Sequence, residues 1–217
     1  MTQRISRGGG PTGRSVVLDY DGTITETDVL DRAAVEFGDP AVYQQVEDGL
    51  HAGRLRLREV ITREFAPVTA PVDEVVAWVL ETTTVRPGFA DFVRRAQADA
   101  WRVHIVSSGF HELIEPVLER EGVQVELHAN RVDARPEGWV VDWRYPDHCE
   151  VCGESCKRST LPPGDVVYVG DGYSDRCAAL ASDRVFATAG LARYLAEQGK
   201  PFEPFTDFHA LSEALAP

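Results

Sequence analysis

The sequence predicts an α/β fold, an open parallel sheet with helices on both faces and a small all-helical insertion after the first strand. Short apolar runs of β type alternate with amphipathic helical segments along most of the chain, as is typical of parallel sheets. Residues 33–83 carry helical periodicity only. Three of the predicted strands end in polar motifs, and such strand ends line ligand sites in open α/β sheets.

The first predicted strand is Ser15–Leu18, an apolar run that stops at the polar turn Asp19-Tyr-Asp-Gly22. The residues before it, MTQRISRGGGPTGR, are basic and glycine-rich and are expected to form a tail. After the turn, apolar residues recur at helical spacing, and glycine or proline separates the segments. These predicted helices span 28–37, 40–50, 57–65 and 72–82. We therefore expect a helical cap at 33–83, inserted into a Rossmann-like core of residues 14–32 and 84–217.

The rest of the core alternates between strands and helices. Pro87-Gly88 begins an amphipathic helix, and residues 129–143 have the pattern of a hairpin that turns at Pro136-Glu-Gly138. The remaining predicted strands are 103–106, 123–128, 165–169 and 184–187. The remaining predicted helices are 88–99, 110–121, 174–181, 190–199 and 207–215.

Composition disfavours several classes of function. The chain holds 35 acidic and 22 basic residues, a net charge of −13, whereas nucleic-acid binders carry a basic excess or stripe. The same charge disfavours an anionic membrane surface, and no apolar run approaches the roughly 20 residues of a membrane span. The N-terminus lacks the apolar segment of a secretion signal, so we expect a cytoplasmic protein with reduced thiols. The sequence does not indicate an oligomeric state.

The polar strand ends predict one site at the carboxyl edge of the sheet, because parallel strands end on the same edge. The residues expected there are Asp19, Asp21, Thr23, Ser107, Ser108, Gly109, Lys157, Asp171 and Asp175. Carboxylates about 4 Å apart repel one another by about 4 kcal/mol at an effective dielectric constant of 20, and a cation offsets that cost. Oxygen ligands suit Mg²⁺, and hydroxyl, ammonium and backbone N–H donors suit phosphate. The sequence therefore predicts a Mg²⁺-dependent phosphoryl-transfer site.

The motifs Asp19-Tyr-Asp-Gly-Thr23, Ser107-Ser-Gly109, Lys157 and Gly170-Asp-Gly-Tyr-Ser-Asp175 resemble, in order and spacing, those of the haloacid dehalogenase superfamily. The resemblance covers about residues 14–217. It implies that Asp19 is the nucleophile and that Asp21 is the general acid and then the general base. It further implies Mg²⁺ at Asp19, Asp21, Asp171 and Asp175. The expected phosphate-binding residues are Thr23, Ser107, Ser108, Gly109 and Lys157.

Within that superfamily, Asp21 favours a phosphatase or a phosphotransferase, because dehalogenases lack this residue and P-type ATPases carry Lys-Thr after the nucleophile. The helical insertion resembles the cap of the phosphoserine phosphatases, which implies a small phosphorylated metabolite as substrate. The cysteine-rich loop before Lys157 is similar to loops in two groups, the phosphoethanolamine/phosphocholine phosphatases and the methionine-salvage phosphatase that acts on hydroxy-keto-methylthiopentenyl phosphate. The hairpin that ends Val141-Asp-Trp143 looks most like the methionine-salvage group. Phosphoserine and phosphoethanolamine or phosphocholine remain alternative substrates.

Three further points stay open in the sequence. His148, Cys149, Cys152 and Cys156 have the number and spacing of a Cys₃His zinc site, or they are reduced residues that pack a loop; Cys177 is expected in a helix core. The cap arginines Arg54, Arg56, Arg58 and Arg63 are expected either to meet a substrate carboxylate or to form a solvated helix face. A receiver-like phospho-aspartate protein is disfavoured by the insertion, and a non-catalytic protein on this fold is disfavoured by the intact acidic set.

Overall fold

A computed structural model describes residues 13–145 and 148–216, and it confirms the predicted α/β class. Within these residues seven strands form one sheet in the order β4-β3-β2-β1-β5-β6-β7. All neighbours pair in parallel except β3 and β4. The strands are β1 Ser15–Leu18, β2 Arg102–Phe110, β3 Glu126–Arg135, β4 Gly138–Asp142, β5 Val166–Gly170, β6 Arg184–Ala187 and β7 Glu203–Pro204.

The helices flank this sheet and also fill the predicted insertion. They are α1 Val29–Phe37, α2 Pro40–His51, α3 Leu57–Phe65, α4 Val72–Thr82, α5 Phe89–Ala98, α6 His111–Arg120, α7 Arg176–Ala181, α8 Ala189–Glu197 and α9 Phe208–Ala214. A short 3₁₀ helix spans Lys157–Thr160. None of the helices in the described ranges is long and apolar enough to span a membrane.

The sheet differs from the sequence prediction at three points. The predicted strand 123–128 and the first arm of the hairpin are one strand, β3, which pairs with β2 in its first half and with β4 in its second. The second predicted strand, 103–106, continues through the serine motif to Phe110. The two-residue strand β7 was not predicted, because a Glu-Pro pair has no apolar alternation. The predicted tail over residues 1–12 lies outside the described residues.

The chain enters and leaves the helical insertion side by side. Thr25 and Val85 form an antiparallel bridge, and the backbone N–H of Glu26 donates to the Thr84 carbonyl at 3.0 Å. The guanidinium of Arg86 donates to the carbonyl oxygens of Gly22 and Thr23, both at 2.9 Å, and so fixes the turn after β1 to this base.

Apolar side chains of the helices α1 to α4 pack in the same continuous hydrophobic core as those of the sheet. Phe65 of α3 contacts Phe110 edge-on, with ring centroids 4.7 Å apart, and stacks on Trp139 of β4 at 6.0 Å. The tip of α2 and α3 has a small apolar cluster of its own, formed by Val46, Leu50 and Val60. The cap boundary at 33–83 stays a prediction; the packing places α1, α2 and α3 over the carboxyl edge of the sheet.

Candidate active site

Asp19 lies at the carboxyl end of the central strand β1 and is 3% exposed. Its backbone N–H donates to the Val169 carbonyl at 2.9 Å, which continues the pairing of β1 with β5. Lys157 Nζ forms a short ion pair with Asp19 Oδ1, and Thr23 Oγ1 donates to Asp19 Oδ2 at 3.0 Å. One oxygen of the carboxylate is therefore held by a charge and the other by a hydroxyl.

Lys157 is the buried cation of this site, with 1% of its surface exposed. Its Nζ also donates to Asp175 Oδ1 at 2.7 Å, so it lies between two carboxylates. Burial opposes the charge of the ammonium, but the charges of Asp175 and Asp19 outweigh that effect and hold its pKa well above the ordinary value. Lys157 is therefore a fixed positive charge at neutral pH.

Asp175 holds the loop after β5 in place. Its Oδ1 accepts hydrogen bonds from Lys157 and from the Tyr168 hydroxyl, the latter at 2.7 Å. Its Oδ2 accepts from the backbone N–H groups of Asp171 at 3.0 Å and Gly172 at 2.9 Å. Four donors thus surround this carboxylate, which orients Lys157 and the Asp171 loop together.

Asp171 approaches the turn after β1 so closely that only glycine fits opposite it. Gly22 has φ of +73°, and a Cβ at that position would overlap the Asp171 carboxylate. The Thr23 hydroxyl lies 3.5 Å from Asp171 Oδ1 and bridges toward Asp19. The glycine of the first motif therefore permits the contact between the two acidic strand ends.

The acidic groups at this edge are suited to a divalent cation. Oxygens of Asp19, Asp171 and Asp175 lie within 4.8 Å of one another. Burial, together with the neighbouring Asp175 charge, raises the pKa of Asp19 to about 6; burial, together with the Asp19 and Asp175 charges, raises that of Asp171 to about 9. A bound cation relieves this repulsion, and the oxygen-only donor set suits Mg²⁺.

Asp21 lies two residues beyond Asp19 and has different partners. Its Oδ1 accepts from the backbone N–H groups of Val29 and Leu30 at the start of α1, at 3.1 and 3.3 Å. Its Oδ2 accepts from Ser107 Oγ at 3.2 Å. Burial, followed by the Asp19 charge, raises the pKa of Asp21 to about 7. A group with that pKa can give and take a proton near neutral pH.

The predicted phosphate-binding residues differ in whether they reach the cavity or lie buried beneath its surface. Ser108 lines the open cavity, whereas Ser107 is fully buried, donates to Asp21 and accepts from the Gly109 N–H at 2.9 Å. Thr23 is also fully buried and its hydroxyl is directed to Asp19 and Asp171. Phosphate binding by Thr23 stays a prediction, and its hydrogen bonds indicate a role in orienting the two carboxylates.

A cavity of about 190 Å³ lies between these strand ends and the helices above them. The sheet side contributes Asp19, Asp21, Ser108, Lys157 and Asp171. The helix side is partly apolar and partly acidic, and its residues include Leu50, Leu57, Val60, Ile61, Asp31, Glu47 and Glu64. One wall of the cavity is therefore formed by the polar residues at the strand ends, and the opposite wall by the helices α1, α2 and α3.

None of Arg54, Arg56, Arg58 and Arg63 lines this cavity, so the structure gives no support to the alternative in which they meet a substrate carboxylate. Arg56 donates to the Gly153 carbonyl at 3.3 Å, Arg54 donates to Asp48, and Arg58 stacks over Trp143. These side chains serve the cap and its contact with the loop before Lys157.

Four cysteine sulfurs meet beside the site, and the set differs from the predicted one. The sulfurs of Cys149, Cys152, Cys156 and Cys177 lie within 4.8 Å of one another, and those of Cys149 and Cys177 are 4.0 Å apart. His148 does not belong to this cluster. Cys177 is buried on α7, as expected, and its sulfur also faces the loop cysteines.

Two important groups were missed by sequence reasoning. Tyr168 is in the middle of the apolar strand β5, where a tyrosine is indistinguishable from a core residue, and its hydroxyl bonds to Asp175. Glu64 of α3 lies on the same helix face as Val60 and Ile61. An acid at an apolar position of an amphipathic helix is the signal that could have identified it.

Comparison with known proteins agrees with this geometry. Residues 16–180 match the sequence profile of the haloacid dehalogenase-like hydrolases. Two curated relatives, from Bacillus cereus (strain G9842) and Bacillus thuringiensis (strain Al Hakam), are each named 2-hydroxy-3-keto-5-methylthiopentenyl-1-phosphate phosphatase. Each is 26% identical over 208 residues, which cover 92% of this chain and 94% of the relative.

Two solved structures share the fold. A substrate-bound phosphoserine phosphatase complex matches with a TM-score of 0.70 and 16% identity, covering 96% of this chain and 100% of its own. Phosphoserine phosphatase from T. onnurineus matches with a TM-score of 0.69 and 17% identity, covering 96% and 98%. The chain therefore belongs to the haloacid dehalogenase-like hydrolases and is a phosphoric monoester hydrolase with the phosphoserine phosphatase fold.

Proposed function

We propose that this protein is a Mg²⁺-dependent phosphatase that hydrolyses a small phosphorylated metabolite through an aspartyl-phosphate on Asp19. The observation that carries the proposal is the pairing of Asp19 with the buried Lys157, with Asp21 two residues away and its pKa near 7. A nucleophile, a fixed positive charge and a proton carrier then face one cavity.

In the first step an Asp19 oxygen attacks phosphorus and the bond from phosphorus to the substrate oxygen breaks. The departing alkoxide takes a proton from Asp21, whose raised pKa keeps a fraction of the carboxyl protonated at neutral pH. Lys157 and the donors of Ser108 stabilise the negative charge on the phosphoryl oxygens. Asp19, Asp171 and the backbone carbonyl of Asp21 would hold Mg²⁺, with Asp175 orienting Lys157 and the Asp171 loop; bound Mg²⁺ neutralises charge on the phosphoryl group.

In the second step the ionised Asp21 takes a proton from water, and the resulting hydroxide attacks phosphorus. The bond between phosphorus and Asp19 breaks, which releases inorganic phosphate and returns Asp21 to its protonated form. The two N–H groups of α1 and the Ser107 hydroxyl keep Asp21 in one orientation through both proton transfers. The same residue can therefore serve as acid and as base.

The first substrate to test is the one in the relatives' name, 2-hydroxy-3-keto-5-methylthiopentenyl-1-phosphate. The apolar part of the cavity wall, formed by Leu50, Leu57, Val60 and Ile61, would suit a methylthio chain. The acidic part of the same wall favours a second class, the amino-bearing phosphates such as phosphoethanolamine and phosphocholine.

A panel of phosphomonoesters tests the proposal directly. We expect phosphate release from at least one small metabolite and from p-nitrophenyl phosphate, with loss of activity in EDTA and recovery on addition of Mg²⁺. The panel contains the methylthiopentenyl phosphate, phosphoserine, phosphoethanolamine and phosphocholine. An enzyme that keeps full activity in EDTA after dialysis would contradict the metal requirement, and absence of phosphate release from every ester would contradict the proposed function.

We further propose that the four sulfurs beside the site hold a structural Zn²⁺. Zn²⁺ binds four thiolates in a tetrahedron with Zn–S distances of about 2.3 Å, which places sulfurs about 4 Å apart. The sulfurs of Cys149, Cys152, Cys156 and Cys177 lie within 4.8 Å of one another, and those of Cys149 and Cys177 are 4.0 Å apart, so small shifts would bring them to that spacing. Because Cys156 directly precedes Lys157 and Cys177 is two residues after Asp175, such a site would fix both ends of that ion pair.

Elemental analysis and a double substitution test the zinc site. We expect about one zinc per chain in protein purified without chelator, and none in Cys152→Ala/Cys177→Ala. Turnover should fall by about 10- to 100-fold, because Lys157 loses its anchorage. The matched control is His148→Ala, which should keep its zinc because the histidine lies outside the sulfur cluster. Wild-type protein without zinc would show that packing alone orders the loop.

A further inference from the structure

A group of metal-binding side chains lies on the sheet outside the active site. His104 of β2 pairs in register with Glu126 of β3, and His128 follows two residues further along β3. One ligand atom from each of these three residues lies within 4.8 Å of the others. Because side chains alternate between the two faces of a strand, His104, Glu126 and His128 all lie on the same face of the sheet. The group therefore connects two neighbouring strands.

This group is separate from the place where phosphoryl transfer would occur. His104 and Glu126 lie near the amino ends of β2 and β3, whereas Ser107 lies further along β2, toward the carboxyl edge of the sheet. A strand rises about 3.3 Å per residue, so about 10 Å of strand separates His104 from Ser107. None of the three metal-binding side chains lines the cavity above Asp19. An ion bound between them would therefore not contact a phosphoryl group on Asp19.

The distances within the group are close to those between ligands of one metal ion. Glu126 Oε2 lies 3.2 Å from His104 Nδ1, and Glu126 Oε1 lies 2.9 Å from His128 Nε2. In a tetrahedral site, Zn–N and Zn–O distances of about 2.0–2.1 Å place the ligand atoms about 3.3 Å apart. Small rotations of the side chains would therefore bring all three donors onto one ion.

His104 has unused binding capacity although it is buried. It is 6% exposed, and neither of its ring nitrogens makes a hydrogen bond among the described residues. Buried polar atoms without a partner are rare in folded proteins. Burial lowers the pKa of His104 more than the charge of Glu126 raises it, so the imidazole is neutral at neutral pH. A neutral imidazole is the form that binds metal ions, and a metal would give the ring a partner.

The other two side chains keep the group accessible from solvent. The Glu126 side chain is 60% exposed and that of His128 is 34% exposed. The backbone beneath them is fixed by the pairing of β2 with β3, and the His128 carbonyl also accepts from the Tyr145 hydroxyl at 2.8 Å. An ion can therefore reach three donors that the sheet already holds together, and water can complete its coordination.

We propose that His104, Glu126 and His128 form a binding site for a divalent transition-metal ion such as Zn²⁺. Two imidazoles and one carboxylate suit such an ion and disfavour Mg²⁺, which prefers oxygen ligands alone. The bound ion would join β2 to β3 and stabilise the folded protein, because the unfolded chain does not hold these donors together. The site requires neither the proposed phosphatase activity nor the proposed zinc at the cysteines.

Equilibrium dialysis of the whole protein against Zn²⁺, with excess Mg²⁺ present, tests the site with two variants of its accessible residues. At free Zn²⁺ about ten times the wild-type Kd, the wild type should hold about one zinc per chain more than His128→Ala. Glu126→Gln should raise the Kd of that additional zinc by about 100-fold, because a ligand is lost. Zinc at the cysteine cluster contributes equally to every protein in this comparison and cancels.

The matched control is His51→Ala, which should bind as much zinc as the wild type. His51 also lies beside a glutamate, Glu47, at 3.8 Å, but it belongs to no three-ligand group among the described residues. Undiminished zinc binding in both His128→Ala and Glu126→Gln would overturn the inference.

Thermal unfolding gives a second measure that does not depend on turnover. At free Zn²⁺ about 100 times the Kd of the site, the Tm of the wild type should rise by about 5 °C more than that of His128→Ala. Without added zinc the two proteins should unfold within about 2 °C of each other, because a partly exposed side chain is changed. A Tm increase of the same size in both proteins would mean that zinc acts elsewhere, and the proposed site would be wrong.

Discussion

Replacing Asp19 by asparagine is expected to lower kcat/KM for every substrate by more than about 1,000-fold, because the amide cannot form the phosphoryl-enzyme. Asparagine has nearly the same size, and its side-chain oxygen can still accept from Thr23 or Lys157. The fold should therefore survive, with a modest change in Tm. Phosphate release from p-nitrophenyl phosphate measures the loss, since this ester makes little use of the cavity wall formed by α1, α2 and α3.

Acid quenching separates nucleophilic catalysis from other roles of Asp19. The wild-type enzyme stopped in acid during turnover should carry a phosphoryl group on the peptide that contains Asp19, and Asp19→Asn should not. Asp73→Asn, a change of the same kind on the exposed surface of α4, serves as the control and should be indistinguishable from the wild type. A phosphorylated Asp19→Asn enzyme with ordinary turnover would mean that another residue is the nucleophile.

The acidic residues at the strand ends could be predicted from the sequence because the pattern that identifies them is local. Asp19, Asp21 and Asp171 directly follow apolar runs, and parallel strands bring their carboxyl ends to one edge. Lys157 was expected at this edge because it lies just before the strand β5, and the resemblance to a family assigned it to phosphate, since a single lysine after a loop has no periodic signal. In the structure it is buried between Asp19 and Asp175, which explains why a charged side chain is retained inside the protein.

The features of the site that could not be predicted from the sequence depend on contacts between segments that are distant along the chain. Cys177 joins the three loop cysteines because α7 packs beside the Cys149–Cys156 loop, and spacing along the chain pointed to His148 instead. Whether the cap arginines meet a substrate carboxylate or form a solvated helix face stayed open in the sequence, because the face of a short helix that meets the cavity depends on how α2 and α3 pack on each other. Glu64 was not predicted for the same reason, because only the structure shows that its side of α3 lines the cavity.

Replacing Lys157 by methionine is expected to damage both stability and turnover, since methionine has similar length and no charge. Asp19 and Asp175 would then be buried close together without their cation, and breaking a buried pair in this way costs about 3–5 kcal/mol. Turnover should fall by more than about 100-fold, because the phosphoryl oxygens lose their fixed positive charge. Chemical denaturation and phosphate release measure the two effects on the same preparation.

Two comparisons separate the electrostatic role of Lys157 from simple packing. Lys200→Met removes the chain's other lysine, which bonds the Ser182 carbonyl at 2.8 Å away from the site, and should leave turnover unchanged. In Lys157→Met the pKa of Asp19 should rise further, because a neighbouring positive charge is lost while burial and Asp175 remain. The destabilisation of Lys157→Met should therefore be larger at pH 8 than at pH 5, where protonation of Asp19 relieves the repulsion. Equal destabilisation at both pH values would show that the aliphatic chain, and not the ammonium, is what the site requires.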